Sequence, residues 1–328
     1  MHGISIRNGG NIVEKLRFGI MGTASIIDRF AGAVRLSDHG IVAAVASRSI
    51  EKAQKKAVKL EIEKYYGRYE DLVEDEEIDV IYIPTINHAH KENAVLALCS
   101  GKHILVEKPM TLSESDTRML FALAKEKNLF IMEAQKSLFL PATNEVRNMI
   151  KDDIIGKIHF FDYMISIPEV GFEWFYDRKS GGGALLGSGN YILAHAMFLT
   201  DEDLHDPKGA ATISEGGVDL QCLFSLKTDS GILVDGKITT LFQAESGLTI
   251  YGEKGRIILK DFWKARHAVL EIYGEPPREI HYPVEYEMVY EVNHVIECIV
   301  KDMTESPVMS RNLSVKSARL IDDLWRDF

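Results

Sequence analysis

The chain has 328 residues, 46% hydrophobic and 27% charged, with a formal net charge of −11. That describes a globular protein long enough for two domains with sizeable cores. The diffuse acidic balance argues against nucleic acid or an anionic membrane as the main partner.

Cys99, Cys222 and Cys298 lie far apart in sequence. None sits in a close Cys/His pair, so the pattern suggests neither a disulfide framework nor a zinc site, and it fits a reducing cytoplasm. Cys99 and Cys298 fall in helix-like apolar patterns and read as buried thiols. No stretch approaches bilayer-spanning length, and the first fifteen residues hold no apolar core of signal-peptide length. Residues 1–11, with Gly9 and Gly10, read as a loose arm.

In chain order, residues 16–21 (LRFGIM) read as a strand that turns through Gly22-Thr23-Ala24-Ser25 into a helix ending at Arg35. In the dinucleotide fingerprint GxGxxG, glycines let the backbone approach a pyrophosphate. Only Gly22 holds its place here; Ala24 and Ile27 stand at the other two positions. Ala24 is still small enough for close approach, and Ser25 can cap the helix N-terminus that would receive phosphate. The second strand, 41–46, leads into Ser47-Arg48-Ser49 and a helix over 51–60. NAD binders commonly end this strand with an acid that holds the ribose hydroxyls. A hydroxyl and a guanidinium suit a 2′-phosphate instead, which favours NADP over NAD.

Tyr65-Tyr66-Gly67 and a helix over 69–73 come next, then an acidic run, 74–79, that reads as a solvated face. The strand 79–83 ends in Pro84-Thr85-Ile86-Asn87-His88-Ala89-His90. No nearby carboxylate completes a metal set there, so no metal is expected; Asn87 and His90 read as cofactor-lining or helix-capping groups. A helix over 91–100 leads to GKHILVEKPM, residues 101–110, in which an apolar strand stops at Glu107-Lys108-Pro109. Open α/β sheets place their chemistry just past the carboxyl ends of strands. A Lys there, on a backbone stiffened by Pro, is a candidate acid/base or anchoring group. An isolated Glu-Lys-Pro reads sooner as a turn with a surface Lys, so the context has to decide. A helix over 112–127 and a strand over 129–133 complete an alternation that specifies a doubly wound parallel sheet.

In the second half, residues 138–150 read as a helix after Pro141 and 154–167 as one or two strands. The loop 168–180 is rich in aromatic and charged residues. Its Trp174, Phe175 and Tyr176 either line a substrate mouth or form a satellite core. Residues 183–199 read as a helix with a flexible start. Strands at 218–226 and 232–242 flank a turn at Thr228-Asp229-Ser230-Gly231; strands at 248–252 and 256–260 flank another, and 269–273 is a further strand. Helices over 287–301 and 314–325 close the chain. Consecutive antiparallel strands with helices gathered elsewhere specify an α+β domain. So apolar an open sheet face calls for cover by a second subunit.

The order Gly22-Thr23-Ala24, Ser47-Arg48-Ser49, Asp71-Leu72, Ile78-Asp79-Val80, Asn87 with His90, and Gly101-Lys102-His103 through Glu107-Lys108-Pro109 resembles the Gfo/Idh/MocA oxidoreductases. Gly181-Gly182-Gly183-Ala184-Leu185-Leu186, Tyr290-Glu291-Val292-Asn293-His294 and Glu305-Ser306-Pro307-Val308-Met309 extend the resemblance over nearly the whole chain. Within the family it is most similar to the branch of dihydrodiol dehydrogenase and glucose-fructose oxidoreductase relatives. The resemblance implies a Rossmann domain over 12–138 and, over 139–328, an α+β domain whose open, mainly antiparallel sheet serves substrate and subunit contacts, with a homodimer or homotetramer as the assembly. It implies hydride transfer between NADP or NAD and the CH–OH carbon of a sugar, cyclic polyol or trans-diol. The expected cofactor contacts are Gly22, Thr23, Ala24, Ser25, Ile26, Ser47, Arg48, Thr85, Asn87, His90, Glu107 and Lys108.

In that branch a Tyr is paired with the Lys of Glu-Lys-Pro; Tyr191 falls at its position, which makes Lys108 and Tyr191 the expected catalytic pair. Trp174, Tyr176 and His195 are the candidates to line the substrate, although an interior imidazole is the plainer reading of His195. Two departures remove charge: Gly187 stands where the branch carries Asp, and Phe175 is the nearest match to an expected Arg. They leave open a second reading, a nucleotide-binding ligand sensor of the same fold, and a third, a dehydrogenase for amino or imino compounds.

Overall fold

A computed structural model describes residues 5–8 and 11–328. Where the sequence suggested a loose arm, β1 (Ser5–Asn8) and β2 (Asn11–Glu14) pair antiparallel; residues 1–4, 9 and 10 of that arm lie outside the described residues. The chain forms two compact units. The first takes the chain up to Thr111, Ser115–Ala134 and Tyr286–Arg311; the second takes Leu112–Glu114, Gln135–Glu285 and Asn312–Phe328.

The first unit is built on six parallel strands: β3 (Leu16–Met21), β4 (Gly40–Ala46), β5 (Lys64–Tyr66), β6 (Val80–Ile83), β7 (His103–Glu107) and β8 (Ile131–Ala134), in the order β5-β4-β3-β6-β7-β8. Helices α1 (Ile26–Leu36), α2 (Ile50–Leu60), α3 (Tyr69–Glu74), α4 (His90–Cys99) and α5 (Glu114–Glu126) connect them. Every residue of β6 and β8 is buried. Strands buried along their whole length are stable only when both sheet faces are covered. The strand order reverses between β3 and β6, and that crevice is where open α/β sheets take their ligands. Cys298 is buried, whereas Cys99, at the last turn of α4, is exposed rather than buried as its apolar surroundings suggested.

The second unit contains α6 (Pro141–Lys151), β9 (Ile158–Ser166), α7 (Asn190–Thr200), β10 (Leu204–Ile213), β11 (Asp219–Thr228), β12 (Leu233–Thr239), β13 (Gly247–Gly252), β14 (Gly255–Lys260), β15 (His267–Ile272) and β16 (Arg278–His281). Its eight strands run β10-β11-β12-β9-β13-β14-β15-β16, antiparallel except for β12 on β9. Residues alternate between a buried face and an open one along β11, as a sheet covered on one side requires. Strand β10 was not legible, because Pro207 between Asp206 and Lys208 breaks any apolar alternation. It is an edge strand whose register shifts between His205 and Lys208, the setting in which a sheet tolerates Pro.

The chain then returns to the first unit with α8 (Val289–Val300) and ends in α9 (Arg311–Trp325). Buried Glu287, just before α8, pairs with Arg29 of α1. The Tyr286 ring lies against Gly32, where a Cβ would come within 2.6 Å of it. Thr304 accepts a 3.1 Å hydrogen bond from the Ile131 N–H at the sheet edge. Among the described residues no helix is long and apolar enough to cross a membrane.

Candidate active site

In the first unit the expected cofactor residues gather at the carboxyl ends of β3, β4, β6 and β7. Gly22 follows β3 with φ +121°, a backbone that L side chains rarely adopt. Its N–H donates to the Ala46 carbonyl at 2.8 Å, which ties the turn to the end of β4. A Cβ at position 22 would face Thr85 Cγ2 at 3.6 Å, the Pro84 carbonyl at 3.9 Å and the Tyr69 hydroxyl at 4.0 Å. Gly22, Thr85 and Tyr69 therefore make one shelf across the strand-order reversal. Thr23 is half-buried and Ala24 and Ser25 are exposed at the start of α1, with Ile26 its first residue. Ser25 already has helical dihedrals and makes no side-chain cap, so its hydroxyl does not play the capping part expected of it. Its backbone still lies at a helix N-terminus, the place that suits a phosphate.

Ser47 is buried, its N–H bonded to the Tyr66 carbonyl at 3.1 Å, and Arg48 is exposed. Ser49, the next residue, caps α2 by accepting from the Lys52 N–H. Burial raises the Tyr69 phenol above its usual pKa, and the Arg48 guanidinium opposes that rise. Arg48 is thus close enough to Tyr69 for its charge to be felt beside the shelf.

Asn87 is buried after β6. His90 is fully buried, with Nδ1 2.8 Å from the Pro109 carbonyl and Nε2 2.9 Å from the Thr85 carbonyl. Burial holds its pKa below the usual imidazole value, against the pull of those two carbonyls. The fully buried ring lies between these two carbonyls and, as a neutral imidazole, donates its one N–H to one of them, which ties the ends of β6 and β7 together. Glu107 is also occupied: it accepts from the Tyr82 hydroxyl at 2.7 Å and from the Lys108 N–H at 3.2 Å. It thereby shapes the turn that carries Lys108, which is half-buried and joined to Pro109 by a cis peptide bond.

Tyr191 belongs to the second unit, on α7, at 8% exposure. Lys136, at 7% exposure, donates a 2.9 Å hydrogen bond to its phenol oxygen. The start of α7 is fixed by several contacts. Gln135 Nε2 donates to the Asn190 carbonyl at 2.8 Å. Asp219, fully buried on β11, accepts from the Leu185 N–H at 2.7 Å; burial pushes its carboxyl up to about 6. Two glycines of the 181–183 run are demanded by space. A Cβ on Gly182 would lie 2.1 Å from the Phe175 carbonyl, and one on Gly183, at φ +109°, 2.2 Å from Asp219 Oδ1. A π-helical turn, Leu185–Gly189, then delivers the chain into α7.

The aromatic loop is buried at Phe175 and open at Phe172 and Tyr176. Phe175 is buried, and a Cβ at Gly187 would stand 3.8 Å from its ring. The two positions that depart from the branch pattern are therefore neighbours. Trp174 stacks on Phe172 with ring centroids 6.2 Å apart, and exposed Tyr176 donates to the Val170 carbonyl at 3.1 Å. His195 is fully buried between the hydroxyls of Tyr163, 3.1 Å away, and Thr143, 3.3 Å away, and burial drives its pKa down to about 3. It is a neutral interior imidazole with no surface for a substrate.

Three residues, one in the first unit and two in the second, escaped the sequence. Lys136 stands two residues past β8, so the strand-end rule that singled out Lys108 applies to it equally. Asp219 is a carboxylate at an inward position of an alternating strand. Tyr69 opens a short helix and carried no signal.

The chain matches the oxidoreductase family with an NAD-binding Rossmann fold, GFO_IDH_MocA, over residues 16–135, and that family's C-terminal domain over 143–258. The trans-1,2-dihydrobenzene-1,2-diol dehydrogenase of Xenopus laevis is 30% identical over 318 residues, covering 94% of this chain and 96% of that protein. The chain belongs to the Gfo/Idh/MocA oxidoreductase family. Like its relatives, this Gfo/Idh/MocA protein is an NAD(P)-dependent dehydrogenase/reductase. The mouse dihydrodiol dehydrogenase is 31% identical over 327 residues, covering 94% of this chain and 95% of that one. Two solved structures share the fold of this family member. The 3-ketoreductase KijD10 of Actinomadura kijaniata, in complex with NADP and TDP-benzene, has a TM-score of 0.86 at 24% identity, covering 96% of this chain and 98% of that one. The aldose-aldose oxidoreductase of Caulobacter crescentus has a TM-score of 0.87 at 20% identity, covering 96% and 97%.

Proposed function

We propose that the chain is an NADP-preferring dehydrogenase/reductase for the CH–OH carbon of a sugar, cyclic polyol or trans-diol, with Lys108 and Tyr191 as its acid–base groups. The observation that carries this reading is the Tyr191 phenol, fixed on α7 and bonded at 2.9 Å to a buried ammonium. Oxidising an alcohol removes a hydride from carbon and a proton from oxygen. Bound nicotinamide supplies the hydride acceptor. Tyr191 takes the hydroxyl proton, and Lys108 places positive charge where the oxygen becomes anionic; in the reverse direction the same charge polarises the carbonyl. The Gly22 turn and the start of α1 receive the pyrophosphate, Thr85 and Asn87 lie toward the nicotinamide, and Arg48 with Ser47 grips the 2′-phosphate.

The names of the relatives, a diol dehydrogenase, a ketoreductase and an aldose oxidoreductase, support this substrate class. We assign the cofactor to the first unit, which takes residues 286–311 as well as the early strands, and the substrate and subunit contacts to the second. The open face of the eight-stranded sheet exposes Leu223 and Leu233 beside the Lys237–Asp162 ion pair, which suits a homodimer or homotetramer. Free cysteines suit the cytoplasm.

The test is a titration of NADPH and NADH by fluorescence, followed by turnover on a panel of sugars, cyclic polyols and trans-diols. Lys108→Ala and Tyr191→Phe should keep nucleotide binding and lose on the order of 10²-fold or more in turnover. No response to either nucleotide would refute the proposal. Tight binding with no turnover would favour a ligand sensor, a reading that the adjacent Phe175 and Gly187 keep open.

A further inference from the structure

We infer that Lys136 is the charge partner that readies Tyr191 for proton transfer, a positioning residue acting through the phenol. The inference rests on Tyr191 being the proton-transferring group, as proposed above. Lys136 sits in the short 3-10 turn Lys136–Leu138, two residues past β8. Its ammonium is buried, a condition that is stable for a cation only when it is paired and hydrogen-bonded. Its Nζ is 2.9 Å from the Tyr191 oxygen and 5.2 Å from the ring centroid. Those two distances put the nitrogen out beyond the oxygen rather than over the ring face, so the contact is a hydrogen bond to the atom that gains or loses the proton. A cation there favours the phenolate over the phenol. The backbone beside it is pinned as well, because Gln135 holds the Asn190 carbonyl.

Within the second unit, the charges on the Phe262–Lys264 turn and on α6 have partners of their own. On the Phe262–Lys264 turn, the Trp263 ring lies 6.4 Å from the Tyr191 ring, and the Lys264 ammonium lies over that tryptophan at 5.7 Å. On α6, Glu145 meets the Tyr282 hydroxyl and Arg147 meets Asp201 and the Phe198 ring. The π-helical turn Leu185–Gly189 has no ionisable side chain. On α7 itself, His195 is neutral.

In the oxidative direction the substrate hydroxyl proton passes to the Tyr191 phenolate as the carbinol hydride passes to oxidised NAD(P). The products are the carbonyl compound, the reduced cofactor and the neutral phenol. Lys136 stays an ammonium throughout and exchanges no proton in the step. Its effect is to set the pH above which Tyr191 is competent as a base.

Ultraviolet difference titration of the nucleotide-free protein against Tyr191→Phe isolates this phenol from the other eleven of the twelve tyrosines. Lys136→Met should raise its midpoint by about 1–3 pH units, the usual effect of removing a neighbouring opposite charge. Lys136→Arg should keep most of the wild-type value. The acid limb of the oxidative kcat–pH profile should move up with it. Should Lys136→Met fail to fold, Lys136→Gln against Lys136→Arg makes the same comparison. Equal midpoints in the charged and uncharged variants would overturn the inference. If the midpoint moves but Tyr191→Phe keeps full turnover, the Lys136–Tyr191 coupling stands and the catalytic role of Tyr191 falls.

Discussion

Replacing Asp219 by Asn should remove a pH dependence of stability that the fold has built in. This carboxyl is fully buried and bonded to the Leu185 N–H, and burial lifts it from an ordinary 3.8 to about 6. A raised carboxyl pKa means that the folded state holds the proton more tightly than the unfolded one. The group is therefore neutral in its effect below pH 3.8 and destabilising as the pH climbs through about 6. A difference of about two pH units corresponds to about 3 kcal/mol, since each unit is about 1.4 kcal/mol. His195 works in the opposite sense, because its depressed pKa makes stability fall as the pH drops below the ordinary imidazole value. The useful quantity is thus the wild-type unfolding free energy minus that of Asp219→Asn, in which the His195 contribution cancels. Measured by urea unfolding from about pH 4.5 to about pH 7.5, that difference should fall by about 2 kcal/mol, nearly all of it below about pH 6. A flat difference would show that the carboxyl titrates normally and that its hydrogen bonds offset its burial.

Three further outcomes follow from contacts in the first unit. His90→Ala leaves the Thr85 and Pro109 carbonyls without their ring partner. It should destabilise by about 2–5 kcal/mol and weaken NADPH binding in a fluorescence titration, while a purely local effect would leave binding unchanged. Gly32→Ala gains about 1 kcal/mol of helix propensity but drives a methyl to within 2.6 Å of the Tyr286 ring. Overpacking of about 1–3 kcal/mol should win, and the melting temperature should drop. Arg48→Ala should weaken NADPH by about 1.5–3 kcal/mol, the worth of a hydrogen bond to a charged group, and leave NADH nearly unchanged; equal losses for both would remove Arg48 from the 2′-phosphate.

Much of the fold was legible because its strongest signals are local. The strand 16–21 and the hairpin around Glu253-Lys254-Gly255 follow from apolar runs bounded by turn residues. Strand β16 was missed because REIH has no apolar face to read. The candidate positions at strand ends, Gly22 and Lys108, could be singled out in the sequence because an apolar run stops just before each. The partnership of Lys136 with Tyr191 could not, because the two are 55 positions apart and only the packing of α7 brings them together. For the same reason the burial of His90 between the Thr85 and Pro109 carbonyls could not be read from the sequence.

The first unit is not continuous in the chain. Its α1 is completed by Tyr286, Glu287 and α8, and its sheet edge by Thr304. A gene cut after β8 would encode all six strands of the first sheet and still yield a protein with an uncovered helix flank. On the ribosome, too, this fold stays unfinished while some 150 later residues are synthesised, so the early segment must wait, partly bare, for the end of its own message.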